Sequence, residues 1–192
     1  MLSKPYIQKI KKEYLDYAQK RREVIKMSGD ALHFAKRVIF AVHRHDQKEA
    51  QTKLEQAEQI LKDLNKQFRN EKDLFDEGAY RAALEEYVEA KLFFEFVKTG
   101  KMNEIKTVPI ESDVFLAGIC DVPGELQRFA VNSATARNFK AVHECKLAAE
   151  EIIGELMEFD LTSYLRTKFD QAKQALHRLE QVEYEVTLKN LK

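Results

Sequence analysis

Glycine and proline are scarce, six and three in 192 residues. Scarce turn residues disfavour a many-turned β architecture and permit long continuous helices. Cysteine occurs only at Cys120 and Cys145, too few for a disulfide framework. Both fall at apolar helical positions, as buried free thiols do, and a reducing cytoplasm fits them. No apolar run approaches the roughly 18 residues of a membrane span. Met1 to Lys12 is polar and lysine-rich, without the apolar centre of a signal peptide. Net charge is also lacking, with 32 Lys+Arg against 32 Asp+Glu, which argues against a simple nucleic-acid coat protein. No Gly-rich phosphate loop and no Ser-His-Asp or Cys-His signature is present.

What is present is globular: 44% hydrophobic and 33% charged residues. The length suits one domain, 1–192, with a real core. The charge is unevenly spread, with a net of +7 over residues 1–45, −4 over 46–100 and −3 over 101–192. Such asymmetry suits a basic element serving an anionic partner; the plainer reading is a solvated helix face.

Apolar residues recur at alternating three- and four-residue steps in six segments, the pattern of an all-α antiparallel bundle. The first runs from about Lys4 to His45, with Tyr17, Val24, Ala31, Ala35, Val38 and Val42. The second, Asp46 to Asn70, carries Leu54, Ala57, Leu61, Leu64 and Phe68. The third, Gly78 to Thr99, carries Ala83, Tyr87, Ala90, Phe94 and Val97, with Gly100 as a stop. The fourth, Glu111 to Ala136, carries Ile119, Val122, Leu126 and Phe129. The fifth begins after Asn138, a good N-cap, and the sixth near Asp160 or Thr162.

Two acidic pairs stand out. Glu86 and Glu89 are three apart in the third segment, Asp121 and Glu125 four apart in the fourth. Residues so spaced share a helix face. Heptad numbering from each seam puts Glu86 and Glu125 at g, and Glu89 and Asp121 at c. If these helices pack, four carboxylates converge beside the seam. Convergent like charges are unfavourable alone and become favourable around a divalent cation. All-oxygen donors select a hard ion, Mg²⁺ or its substitute Mn²⁺. Such a site holds a scissile phosphate and activates water. The plainer reading is acids solvated or paired with Lys91 and Arg128. A di-iron carboxylate bundle is excluded, because Glu-x-x-His is missing. Asp30, Phe40, Val42, Lys140 and Gln174 stand three before the five histidines.

The stretches Leu84–Ala90, Phe93–Thr99, Gly118–Arg128 and Val131–Ser133 resemble the translin family in order and content. Within it they are closest to the nuclease-type subunit, translin-associated factor X (TRAX). Arg21–Lys26, Lys36–Phe40 and His43-Arg44 extend the likeness over nearly the whole chain. The resemblance implies a bundle of six or seven helices assembling into a hollow oligomer. It implies a homo-octamer or other large homo-oligomer, and a translin-type second subunit as a further partner. It implies binding of single-stranded RNA and single-stranded DNA, and Mg²⁺-dependent endoribonuclease activity. The family's acids fall on Glu86, Glu89, Asp121 and Glu125, as metal ligands and catalytic residues.

Nucleic-acid contacts are assigned to Arg21, Arg22, Lys36, Arg37, His43, Arg44, Arg81 and Arg128. Arg128 serves either the transition-state charge or an ion pair with Glu125. Tyr80, Tyr87, Phe93, Phe94 and Phe96 suit core or interface better than base stacking. His43 and His45 are weak metal candidates. Pro123 departs from the family pattern and, lying between the acids of the second pair, predicts a kink or a new helical start. It keeps open an alternative, a non-catalytic translin-like oligomer that binds RNA or DNA. A third reading is a helical scaffold with no nucleic-acid partner.

Overall fold

The computed structural model describes residues 2–69 and 71–190. Seven helices and no strand occur among them: α1 (Lys4–His43), α2 (Gln47–Gln67), α3 (Lys72–Phe75), α4 (Gly78–Thr99), α5 (Ser112–Thr135), α6 (Phe139–Leu156) and α7 (Ser163–Asn190). The fold is the expected all-α bundle. The short α3, which periodicity does not reveal, makes the seventh helix.

Local chemistry sets the boundaries. Asp46 caps α2 by accepting from the Glu49 N–H at 2.9 Å, and Asn138 caps α6 through the Ala141 N–H at 3.2 Å. Gly100 ends α4 in the left-handed region (φ 73°), its N–H bonded to the Phe96 carbonyl. The first helix stops at His43, two residues earlier than expected. His45, at φ 59°, turns the chain instead. Asn70, the expected end of the second helix, lies outside the described residues.

The helices α4 and α5 form the centre of the bundle. On one side α1 packs on α4 and α2; on the other, α7 and α6 pack on α5. The seams are buried as read, with Val24, Ala31, Ala35, Val38 and Val42 from α1 and Leu54, Ala57, Leu61 and Leu64 from α2. Tyr80, Tyr87, Phe93 and Phe94 are also core. One seam residue is corrected: Tyr17 is exposed, because α1 outruns the helices it packs on. Cys120 and Cys145 are buried free thiols.

Pro123 produces no helix break. It is buried inside the single helix α5, so Asp121 and Glu125 keep their four-residue spacing on one face. Gly118 sets how closely α5 approaches α4. A Cβ there would lie 2.6 Å from Val88 Cβ and 2.7 Å from the Glu85 carbonyl oxygen. Only glycine permits this contact, three residues before Asp121. No described helix is long and apolar enough to cross a membrane.

Candidate metal and nucleic-acid site

The close approach at Gly118 brings the acids of α4 toward those of α5. Glu89 is buried. Burial first, then the negative charges of Asp121, Glu86 and Glu125, push its carboxyl up to about 9, so it is protonated at neutral pH. Burial also raises Glu86, opposed by Lys36 and reinforced by Asp121 and Glu125. Asp121 is raised by burial and by Glu85 and Glu125, against the pull of Lys168. The four acids named from spacing therefore share one electrostatic neighbourhood, walled by the bundle.

Each of three acids nevertheless turns to its own partner. Asp121 accepts from the Lys168 ammonium, delivered by α7. Glu125 Oε2 bonds His43 Nε2 at 2.5 Å, from the last turn of α1. Glu86 lies 4.0 Å from Lys36 Nζ. With the carboxylates so divided, no three His, Cys, Asp or Glu side chains among the described residues stand close enough together to hold a metal ion. Lys91 pairs with Glu95 and not with the site acids, contrary to the plainer reading above.

Two participants were not singled out from sequence, Lys168 and Glu85. Lys168 Nζ lies 3.3 Å from Glu85 Oε2, and the Tyr164 hydroxyl donates to that same oxygen at 2.8 Å. Burial alone would lower the ammonium, but Asp121, Tyr164 and Glu85 hold it well above its ordinary value. The proton stays on Lys168, which is the resident cation of the acid seam. A hint was available in the spacing: Tyr164 and Lys168 are four apart and share a helix face.

His43 is a correction. Its side chain is only 4% exposed, so it is not free to grip RNA. The imidazole packs on Phe93 and Phe129, with ring centroids 5.1 and 6.3 Å away. Nδ1 is buried with no hydrogen-bond partner among the described residues. The Nε2–Glu125 bond is thus the ring's one polar contact among the described residues, and it fixes the ring's orientation. Lys36 and His43 are seven apart, so the face of α1 that meets the acids carries both.

The other basic candidates are on the surface, several already paired. Arg21 donates to Glu77, with one bond of 3.0 Å. Arg37 meets Glu49 at 2.6 Å. Arg81 bridges Glu111 at 3.1 Å and Asp113 at 2.5 Å, away from the acidic pair of its own helix. Arg44 stacks over Phe40 at 5.5 Å, and Arg22 is exposed. Arg128 is exposed and 3.8 Å from Glu125, an i,i+3 ion pair. His45 is an exposed turn residue against Phe129.

Comparison with curated protein sequences finds no match. Solved structures match closely in backbone. The crystal structure of apo-NeC3PO superposes with a TM-score of 0.86 at 22% identity, covering 97% of this chain and 98% of that one. That of AfC3PO gives 0.89 at 24%, covering 97% and 100%. The AfC3PO–duplex RNA complex gives 0.87 at 23%, covering 97% and 99%. At these identities the likeness shows a shared fold. Residues 19–190 match the Translin family, and the chain belongs to that family.

Proposed function

We propose that this chain is a metal-dependent endoribonuclease of the TRAX type, which binds and cleaves single-stranded RNA. The observation that carries this reading is the concentration of Glu86, Glu89, Asp121 and Glu125 on the facing sides of α4 and α5, with Glu89 buried and protonated. A structural core does not require four acids gathered in one place. The donor set is all oxygen and fits Mg²⁺, or Mn²⁺ in its place. Those four carboxylates would hold the ion. What it supplies when bound is polarisation of a phosphate oxygen and a more acidic water for in-line attack.

The chain's own groups divide the remaining work. To serve as a ligand Glu89 would release its proton to solvent, and Lys168 would yield Asp121 while its contacts with Glu85 and Tyr164 keep its charge beside the site. His43 holds one oxygen of Glu125 and restricts its orientation. Arg128, exposed next to Glu125, faces the charge that develops on phosphate. The basic face of α1 guides the RNA backbone by charge. Single-stranded DNA is a second ligand by the same chemistry. AfC3PO is known with duplex RNA, so both single-stranded and duplex substrates belong in the assay. The working form is a large homo-oligomer, an octamer by family likeness, open to a translin-type second subunit and residing in the reducing cytoplasm.

The test is cleavage of single-stranded RNA in Mg²⁺ by the parent chain and by Glu125→Ala, with assembly monitored. The parent cleaves and the variant loses at least about a hundredfold in rate. Equal rates with unaltered assembly would rule out the carboxylate mechanism.

A second reading is a non-catalytic RNA- and DNA-binding oligomer. One observation favours it: Lys168 and His43 already satisfy Asp121 and Glu125 without any metal. Tight, salt-dependent RNA binding with no turnover in any divalent cation would select it. Pro123 no longer speaks for it, since α5 is one helix.

A further inference from the structure

The α1 helix begins well before the bundle does. Every residue from Leu2 to Tyr17 is exposed, and the first cross-bundle ion pairs start at Lys20 and Arg21. Within this arm Ile7, Ile10, Tyr14 and Tyr17 follow steps of three, four and three, and seven more residues reach the buried Val24. The stripe is the core seam of α1 continued past its partners. Tyr6, at 61% exposure, and Tyr14, at 70%, enlarge it. Fourteen residues from Lys4 to Tyr17 make a rod about 21 Å long. A stripe of large apolar side chains at seam spacing marks an interaction surface.

Elsewhere the molecule carries an open apolar groove of about 600 Å³ between the 101–111 connection, α5 and α6. Its walls include Ile105, Phe115, Ile119, Ile152 and Phe159, and its only charged lining residues are Glu104 and Glu155. A neighbouring groove shares Ile119, Ile152 and Glu155, lengthens the first and adds Glu151 and Lys101. Glu104 is paired with Lys106 at 3.0 Å and Glu150 with Lys146 at 2.7 Å, whereas α6 and the turn after it also carry Glu151, Glu155, Glu158 and Asp160 around the groove.

We propose that the α1 arm of one copy of this chain lies in the acidic-rimmed groove of a second copy. Charge selects this occupant. By helical spacing Lys4 and Lys11 border the arm's apolar stripe, opposite the groove's glutamates. Arm-on-arm pairing would set these lysines against their own kind. A third groove, between α5 and the end of α7, is lined by Arg137 and Lys189 against Glu185 alone, the wrong sign for a basic rod. Each chain thus gives one arm and receives one. The proposal names the surfaces behind the homo-oligomer reading and is independent of catalysis: a monomeric chain overturns both, whereas an oligomer indifferent to the arm overturns only this one.

The test uses the full chain. In sedimentation velocity the parent is oligomeric, and Ile7→Glu with Ile10→Glu weakens association by at least about tenfold. The bundle's helicity is retained, because the arm contributes nothing to the core. Phe159→Glu, on an exposed groove residue, acts in the same direction. Reversing the charges of Lys4 and Lys11, or of Glu151 and Glu155, weakens assembly, and combining the two reversals restores it. A chain carrying Ile10→Cys, mixed with one carrying Phe159→Cys and oxidised by copper–phenanthroline in air, forms a mixed disulfide, the native thiols being buried. Unchanged mass in the arm variants would overturn the proposal, as would efficient cross-linking of the Ile10→Cys chain to itself.

Discussion

Two regions carry the chain's charge in opposite ways. Along α1 the bases are spread over an exposed face, and Arg21 and Arg37 are paired with acids at the surface. Solvent screens such pairs, and each contributes little to stability. Across α4 and α5 the acids are fewer but walled in, and their charges act on one another. Burial turns an ordinary glutamate into a group that holds its proton to about pH 9. Position in the bundle, more than the count of charged residues, decides which charges have consequences.

The largest effect expected is at the contact that creates the buried region. Gly118→Val drives new atoms into Val88 and the Glu85 backbone. It should destabilise the bundle by about 3 kcal/mol, read as a lower urea midpoint. No comparable cost is expected on the arm, for instance at Leu15.

Glu89 sharpens the comparison through pH. Its carboxyl is raised in the folded chain, so between about 4.5 and 9 the folded state binds more protons than the unfolded one. Stability is therefore fully present below the ordinary carboxylate range and falls as pH rises toward 9, by at most about 1.4 kcal/mol per pH unit. Glu89→Gln removes that contribution, so in metal-free buffer at pH 9 the variant unfolds at higher urea than the parent. With Mn²⁺ added the order reverses.

Lys168→Met leaves Asp121 and Glu85 without their half-buried cation. The expected loss is about 2 kcal/mol at pH 7, shrinking as pH falls and Asp121, whose carboxyl burial raises, takes up a proton, or on adding Mn²⁺. Thermal melts in matched buffers check this. Smallest are Arg21→Ala and Arg37→Ala, each within about 1 kcal/mol in stability. Each should still reduce the salt dependence of RNA binding by roughly one counterion, measured by anisotropy from 50 to 200 mM salt.

Much of this was legible in the residues. Seam spacing located the long helices, and Gly100 and Asn138 marked two of the boundaries. Three- and four-residue steps put both acidic pairs on flanking faces, and the structure brings those faces together. Spacing says which face a side chain occupies and leaves open which partner it meets. Lys168 reaches Asp121 from a helix 47 residues away, beyond any local pattern. His43 looked like a surface contact in a basic segment, yet the end of α1 tucks beneath Phe93 and Phe129. Pro123 looked like a break because proline removes one helical hydrogen bond. Its buried place in a long, well-packed helix outweighs that loss.

We propose that the facing acids of α4 and α5 form a single cation site. Anomalous scattering from crystals grown in Mn²⁺ is the direct test. The expected result is a peak bounded by Glu86, Glu89, Asp121 and Glu125, with Lys168 withdrawn from Asp121. Lys168 still bonded to Asp121, and no peak between those helices at saturating Mn²⁺, would contradict it.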